Sequence, residues 1–186
     1  MKIAVICGSN RSGSFNAALT RALPDLAPPD MTFETLTGME DFPHYNADLQ
    51  IEGFPERVLD WADRISSADG VIFVTPEYNY SVPGVMKNTI DWLSRLKPGP
   101  FEGKPVAIQS CAPGAFGGVR AQVHLRQILL FLDALVLNKP EVFVSFAKTK
   151  FSEEGALTDE ATRDFVSAQL TAFHAFVGRV AADGQA

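Results

Sequence analysis

This chain of 186 residues has little or none of several features, and each such shortage excludes a class of protein. It has only two cysteines, Cys7 and Cys111, which excludes a scaffold built on disulfides. Its three histidines, at positions 44, 124 and 174, lie far apart and lack the spacing of a metal-binding motif. No apolar run approaches the roughly 20 residues that a membrane-spanning helix needs. We therefore expect neither a metal site nor a partnership with the membrane.

An excess of positive charge is also missing. The chain has 16 Lys and Arg residues against 22 Asp and Glu residues, a net charge of −6, and its cations are scattered. Nucleic acid is therefore not an expected partner, because binding a phosphate backbone needs a concentrated basic surface. The N-terminus enters a strand pattern at once, without the segments of a signal peptide, so we expect a cytoplasmic protein. The length favours one domain over residues 1–186.

The most informative stretch is residues 2–16, KIAVICGSNRSGSFN. Its apolar start predicts a buried strand, the Gly, Ser and Asn residues that follow predict a tight loop, and a helical pattern begins near Phe15. Hydroxyl, amide and guanidinium groups next to a helix N-terminus form an anion site, here for a phosphate. Because neither G-x-G-x-x-G nor a Walker sequence is present, the loop suits one phosphate monoester. The alternative is a strand-to-helix turn without a ligand.

Strand and helix patterns alternate along the chain. This alternation predicts an α/β fold with a doubly wound five-stranded parallel sheet, strand order 2-1-3-4-5, and helices on both faces. Pro24 should end the first helix at Leu23, whereas residues 37–54 show no clear period. The predicted strands cover residues 3–6, 32–36, 70–75 and 104–110, with an interrupted last strand over 135–137 and 141–144. The predicted helices cover residues 15–23, 55–67, 84–96, 119–132 and 159–181.

Two of these helices have informative apolar faces. The helix over 55–67 should turn Val58, Leu59, Ala62 and Ile65 inward, and Trp61 and Trp92 are expected in the core. The helix from Val119 has one apolar stripe through residues 121, 125, 128, 129 and 132 and a second through residues 119, 123 and 130. Because a helix with two apolar faces is normally covered on both, we expect a second subunit there.

Ligands of such sheets bind outside the carboxyl ends of the strands, where the strand order reverses. Three unusual loops, residues 8–16, 76–83 and 111–118, should meet at that edge. They offer N–H groups, hydroxyls, amides and aromatic rings, but no nucleophile paired with a base. One phosphate and one flat ring together indicate FMN, a cofactor that brings its own reactivity. The alternative for residues 76–79 is a simple turn.

Three motifs at these loops resemble the NADPH-dependent FMN reductase family, and most of all its quinone and chromate reductase members. They are GSNRSGSFN at residues 8–16, TPEYNYSVPG at 75–84 with KNTIDW at 87–92, and GGVRAQ at 117–122 with HLR at 124–126. The resemblance covers nearly the whole chain. It implies a flavodoxin-like fold, non-covalent FMN, NADPH or NADH as the electron donor, and a homodimer or homotetramer.

Motif position also implies roles for individual residues, all of them in binding. The residues that would hold the FMN phosphate are Ser9, Arg11, Ser14, Phe15 and Asn16. Those that would contact the ring and ribityl chain are Pro76, Glu77, Tyr78 and Asn79. The third loop, which has fewer hydroxyls than the family pattern, would add Ser110 and Gly114. Tyr80 and Arg120 would face the nicotinamide donor or the acceptor, and Arg120 could instead pair across subunits.

The resemblance implies a two-step reaction without a catalytic side chain. NAD(P)H would pass a hydride to N5 of FMN, and the oxidised nicotinamide would leave. A small acceptor would then be reduced: a quinone, or another electron-poor compound such as chromate, an azo compound or free flavin. Two rival functions stay open, an electron carrier of the flavodoxin type that does not oxidise NAD(P)H, and a flavin-free scaffold of the same fold.

Overall fold

The computed structural model describes residues 1–183, which form a parallel sheet with helices on both faces. The strands run in the order β2-β1-β3-β4-β5, and β6 also pairs with β4. Near its start β4 pairs with β5, Pro105 against Leu135, and near its end it pairs with β6, Gln109 against Val142. The predicted fold class and strand order are confirmed, with the fifth position divided as expected. The strands are β1 (Lys2–Cys7), β2 (Thr32–Leu36), β3 (Gly70–Thr75), β4 (Pro105–Cys111), β5 (Leu135–Val136) and β6 (Val142–Val144).

The helices cover two separate cores, one on each face of the sheet. The alternation within the fully buried strand β3 shows the division, since Ile72 packs with residues of α1 and α6 and Phe73 packs with residues of α3, α4 and α5. A strand buried on both faces is expected at the centre of a parallel sheet. The helices are α1 (Phe15–Leu26), α2 (Ala47–Glu52), α3 (Glu56–Ser66), α4 (Gly84–Leu93), α5 (Val119–Phe131) and α6 (Glu160–Asp183).

The end predicted for the first helix is wrong. Helix α1 continues through Pro24 to Leu26. Pro24 is exposed in the last turn, and Leu26 is buried in the same core as Leu19 and Leu23. Proline lacks the N–H that would bond to the preceding turn. Burial of one more leucine outweighs that loss this close to the helix end.

The stretch without a clear period contains structure of its own. A short 3-10 helix spans Met39–Asp41, and α2 follows after Asn46, whose side chain accepts a hydrogen bond from the Asp48 N–H at 2.9 Å. The inward face predicted for α3 also needs one correction. Leu59 is 44% exposed, and Trp61 takes its place in the core. Both tryptophans are fully buried, as predicted.

The register of the sheet brings three loops to one edge. Cys7 pairs with Val74, and Thr75 pairs with Ser110, so β1, β3 and β4 end side by side. The loops that follow these strands are therefore neighbours, as predicted. Among the helices within residues 1–183, none is long and apolar enough to cross a membrane.

Candidate functional site

The loop after β1 begins with a glycine that packs closely against the end of β3 and the side of α4. The Gly8 N–H donates to the Val74 carbonyl at 2.9 Å, which ties the loop to β3. A Cβ atom at Gly8 would lie 2.6 Å from Cε of Met86 and 3.2 Å from Oγ1 of Thr75. Glycine at this position therefore lets the loop lie directly against the end of β3 and the side of α4.

Two of the predicted phosphate ligands give this loop its shape. The Ser14 hydroxyl accepts hydrogen bonds from the N–H groups of Asn16 and Ala17, at 3.2 and 3.4 Å, and so caps α1. The Asn16 side chain donates to the Cys111 carbonyl at 2.9 Å and accepts from the Cys111 N–H at 3.0 Å. Both residues are buried. Their side chains hold the loop to α1 and β4, and direct contact with a phosphate stays a prediction for both.

The rest of the loop offers uncommitted donors. Within residues 1–183, the backbone N–H groups of residues 9–13 donate to no protein acceptor. Arg11 and Ser12 are exposed, and Ser9 is half-buried. The Phe15 ring packs on Phe151, with ring centroids 5.6 Å apart, and its predicted role at the phosphate stays a prediction. Successive free N–H groups, a guanidinium and a helix N-terminus together form a cradle for an anion.

The loop after β3 contains a tight hairpin. Tyr78 and Ser81 exchange two backbone hydrogen bonds of 3.0 Å, and the two residues between them have positive φ, 50° at Asn79 and 66° at Tyr80. This is the pattern of a type I′ turn. Pro76 is buried at the base of the loop, while Tyr78, Asn79 and Tyr80 are exposed at its tip. The predicted ring contacts therefore lie at the same edge as the anion cradle.

Glu77 joins this loop to helix α5. One carboxylate oxygen accepts from the N–H groups of Arg120 and Ala121, at 2.9 and 3.3 Å. The other accepts from Nη1 of Arg120 at 3.1 Å, and the Glu77 side chain is only 13% exposed. A carboxylate at a helix N-terminus is favourable electrostatically. Glu77 therefore positions two loops of the site, and its predicted contact with the cofactor stays a prediction.

Arg120 lies between two aromatic rings. Its Cζ atom is 4.1 Å from the ring centroid of Tyr80 and 4.3 Å from that of Phe116, close enough for cation–π attraction. Phe116 is a residue that the sequence reasoning missed. The signal available was an aromatic residue directly before the glycine pair of the third loop. We call Tyr80, Arg120 and Phe116 the aromatic–arginine stack.

The loop after β4 is shaped by buried hydrogen bonds. The Ser110 hydroxyl donates to the Gly117 carbonyl at 2.6 Å and accepts from Nε2 of Gln122 at 2.8 Å. Ser110 is fully buried, so its side chain supports the loop; its predicted contact with the cofactor stays a prediction. Gly114 lies in an open part of the same loop, where an added Cβ atom would meet no other atom within 4 Å. In the described part of the chain, the N–H groups of residues 114–118 donate to no protein acceptor.

Gly118 shows why this loop needs glycine. Its φ is +89°, and an added Cβ atom would lie 2.7 Å from Cβ of Ser110. Both the backbone conformation and the close approach exclude a side chain. The backbone can therefore curve around the end of β4 and leave free N–H groups beside the hairpin.

The chemistry of the site is that of binding groups. Burial raises the pKa of the Cys7 thiol and raises that of Cys111 to about 12, so neither thiol forms a ready nucleophile. The anion cradle suits the phosphate of a mononucleotide, and the free N–H groups beside it suit the polar edge of a planar ring. The donor set at this edge of the sheet therefore fits FMN.

Comparison with known proteins gives one consistent result. Residues 1–149 match the family model described as NADPH-dependent FMN reductase. A quinone reductase of Escherichia coli strain K12 is 50% identical over 182 residues, which is 97% of each chain. An NAD(P)H-dependent FMN reductase of Pseudomonas aeruginosa is 46% identical over 97% of each chain. The solved structure of FerB, a flavoenzyme NAD(P)H:(acceptor) oxidoreductase from Paracoccus denitrificans, is 36% identical with a TM-score of 0.87, over 96% of this chain and 97% of that one.

Proposed function

The chain belongs to the NADPH-dependent FMN reductase family, and from this premise we propose that it transfers electrons from NADPH or NADH through FMN to quinones. Its membership confirms the resemblance of the three motifs. The observation that supports the proposal most strongly is the meeting of an anion cradle with two donor-rich loops at the edge where β1, β3 and β4 end.

We assign the binding roles from these contacts. The free N–H groups of residues 9–13, with Ser9 and Arg11, hold the FMN phosphate. The cap made by Ser14 and the hydrogen bonds between Asn16 and Cys111 keep the loop in place. The backbone of residues 76–79 and 114–118 holds the ring and the ribityl chain. FMN, when bound, supplies the redox chemistry by taking up a hydride and returning its electrons. The residues of this chain bind and orient, and no side chain has to move a proton.

The aromatic–arginine stack defines the open side of the proposed site. Tyr80 and Phe116 are mostly exposed, and each comes from a different loop. Their planar faces and the Arg120 guanidinium suit a nicotinamide or quinone ring with polar carbonyl groups. Arg120 forms an ion pair with Glu77 within one protomer. Part of the role of Arg120 is therefore to position α5. We therefore place donor and acceptor in turn beside this stack.

The proposed assembly is a homodimer through α5. This helix leaves three large apolar side chains unburied: Val123 is 50% exposed, Leu130 79% and Phe131 83%. An apolar stripe of this kind on a helix that already packs on the sheet favours a second copy as its cover. Sedimentation at micromolar concentration should give twice the 20.2 kDa chain mass, or four times if dimers pair further. A monomer mass would contradict the proposal.

The substrate range and the location are also proposals. We propose quinones as the first class of acceptor, because a relative that is 50% identical to this chain is named a quinone reductase. Chromate, azo compounds and free flavin are further acceptors to compare in the same assay. The two free thiols, Cys7 and Cys111, suit the reducing cytoplasm.

Anaerobic stopped-flow mixing tests the proposal. FMN-loaded protein is first mixed with NADPH or NADH, and the flavin absorbance should bleach rapidly. Mixing the reduced protein with a quinone should restore the absorbance. If NAD(P)H leaves the flavin oxidised while a chemical reductant bleaches it, the protein is an electron carrier. If the purified protein does not bind FMN, the scaffold function is correct and the proposal falls.

A further inference from the structure

A groove lies beside the anion cradle, between helix α1 and the edge strand β2. It encloses about 440 Å³, which is within the usual range of small-molecule sites. We call it the α1–β2 groove. Its walls come from the end of β1, one side of α1, and β2 with the turn after it. The lining residues that matter here are Cys7, Ser9, Arg21, Phe33, Thr35 and Thr37.

The groove follows from the topology of the sheet. Strand β2 is an edge strand, and Phe33 and Thr35 alternate along it, so they turn to the same face, with Thr37 directly after the strand. Phe33 belongs to the core under α1 but is only half-buried, and Thr35 and Thr37 are exposed. Residues 17, 20, 21 and 24 of α1 form the facing wall, at the spacing of one helix face. The sheet therefore extends beyond the helix that covers it.

Several polar side chains in the groove lack a protein partner. Arg21 forms no ion pair within residues 1–183, and no hydrogen bond is formed there by the hydroxyls of Thr35 and Thr37. Arg21 is exposed at the border of the groove, and its Nη2 atom lies over Gly155, 3.0 Å from where a Cβ atom would be, on a neighbouring surface that Asp25 and Glu154 also line. Glu40 lines the groove as its one carboxylate among the described residues. Because no ion pair within residues 1–183 holds the guanidinium over Gly155, the side chain is free to turn into the groove and meet an anion there.

We propose that the α1–β2 groove binds the adenylate half of NADPH, with the 2′-phosphate on Arg21. This rests on the proposed function, which makes a nicotinamide dinucleotide the electron donor. A guanidinium with nearby hydroxyls is a typical phosphate site, and Phe33, Leu36 and Met39 supply the apolar surface that a purine needs. Ser9 and Asn10 belong both to the groove and to the anion cradle, so a dinucleotide in the groove lies next to the bound flavin phosphate.

Cys7 gives a readout that does not depend on activity. The chain has two free thiols: Cys7 lines the groove and is half-buried, whereas Cys111 is only 2% exposed. We expect a thiol reagent to label Cys7 first in the FMN-loaded enzyme. The reaction needs an alkaline buffer, because burial raises the pKa of Cys7. Adding 2′,5′-ADP should slow the labelling by about tenfold, and Cys7→Ser should remove it.

Arg21→Gln is the test variant, and Arg179→Gln on α6 is its control. We expect Arg21→Gln to abolish the protection by 2′,5′-ADP and to lower the ratio of kcat/KM for NADPH over NADH by about tenfold, the usual effect of one lost charge-assisted contact. Arg179, which stacks on Phe176 outside the groove, should leave both measurements unchanged. The inhibition by 2′,5′-ADP should be competitive with NADPH.

Three results would overturn this inference. They are labelling that 2′,5′-ADP does not slow, protection that survives Arg21→Gln, and inhibition that is not competitive with NADPH, which would assign the groove to a separate adenylate ligand. In each case NADH would still bleach the bound flavin if the proposed function is right. Loss of bleaching by both nucleotides in wild-type enzyme would instead contradict the proposed function itself.

Discussion

Replacing Glu77 by glutamine tests how the site is held together. The variant keeps the shape of the side chain but turns one acceptor oxygen into an NH₂ group that faces N–H donors. Glu77 accepts from two backbone N–H groups of α5 and from the Arg120 guanidinium, and its side chain is 13% exposed. Hydrogen bonds to a charged group contribute about 1.5–3 kcal/mol, so we expect the free energy of unfolding to fall by about 2–3 kcal/mol. For a chain of this size, Tm should fall by about 4–12 °C.

Urea denaturation followed by circular dichroism measures this loss in wild type and variant. Asp91→Asn is the matched control, since it makes the same chemical change in the exposed Lys87–Asp91 pair of α4. Such a pair on a helix surface contributes about 0.3–0.5 kcal/mol. If Glu77→Gln is no less stable than Asp91→Asn, the carboxylate does not hold α5 to the hairpin, and our account of how the loops are positioned is wrong.

Gly118→Ala should destabilise by about 2 kcal/mol or more, because φ is +89° and the new Cβ would lie 2.7 Å from that of Ser110. Gly114→Ala, in open space, is its control, and equal urea midpoints for the two variants would contradict this prediction. At the start of α6, hydrogen bonds from Thr162 and Lys150 lower the pKa of Asp159 from 3.8 to about 2. Its stabilising effect should therefore be complete above about pH 4 and disappear as the pH falls through 2, so that the Tm difference between wild type and Asp159→Asn narrows over that range. A constant difference would refute the assignment.

The fold could be predicted from the sequence where the local residue pattern and the tertiary packing favour the same structure. The alternation of strands with helices, with the phosphate loop after the first strand, was enough to predict the strand order. The apolar run of β3 was enough to place that strand at the centre of the sheet, where it is buried on both faces. The helix end predicted from Pro24 is wrong, because the rule that proline breaks a helix applies to helix interiors. Pro24 lies in the last turn of α1, and Leu26 after it is still buried. Local preference is a weak guide wherever one buried side chain changes the balance.

The sequence alone could not show which residues of the site hold its loops in place and which are free to contact a ligand. Asn16 and Glu77 have the right chemistry for ligand contacts, yet their side chains bond to Cys111 and Arg120, which lie far along the chain. Ser110 is likewise occupied by Gly117. These bonds form only once the strands are in register, so spacing along the chain does not reveal them. The sequence located the loops correctly without separating the groups that shape them from the groups that are free.

The central claim is that the loop after β1 holds the phosphate of the cofactor. The most direct measurement compares the dissociation constants of FMN and riboflavin, by flavin fluorescence, in wild type and in the double variant Ser9→Ala/Arg11→Ala, whose side chains support no other part of the described structure. We predict that wild type binds FMN far more tightly than riboflavin, and that the double variant loses about tenfold or more of this preference while its affinity for riboflavin is unchanged. Equal preference in the two proteins would contradict the claim.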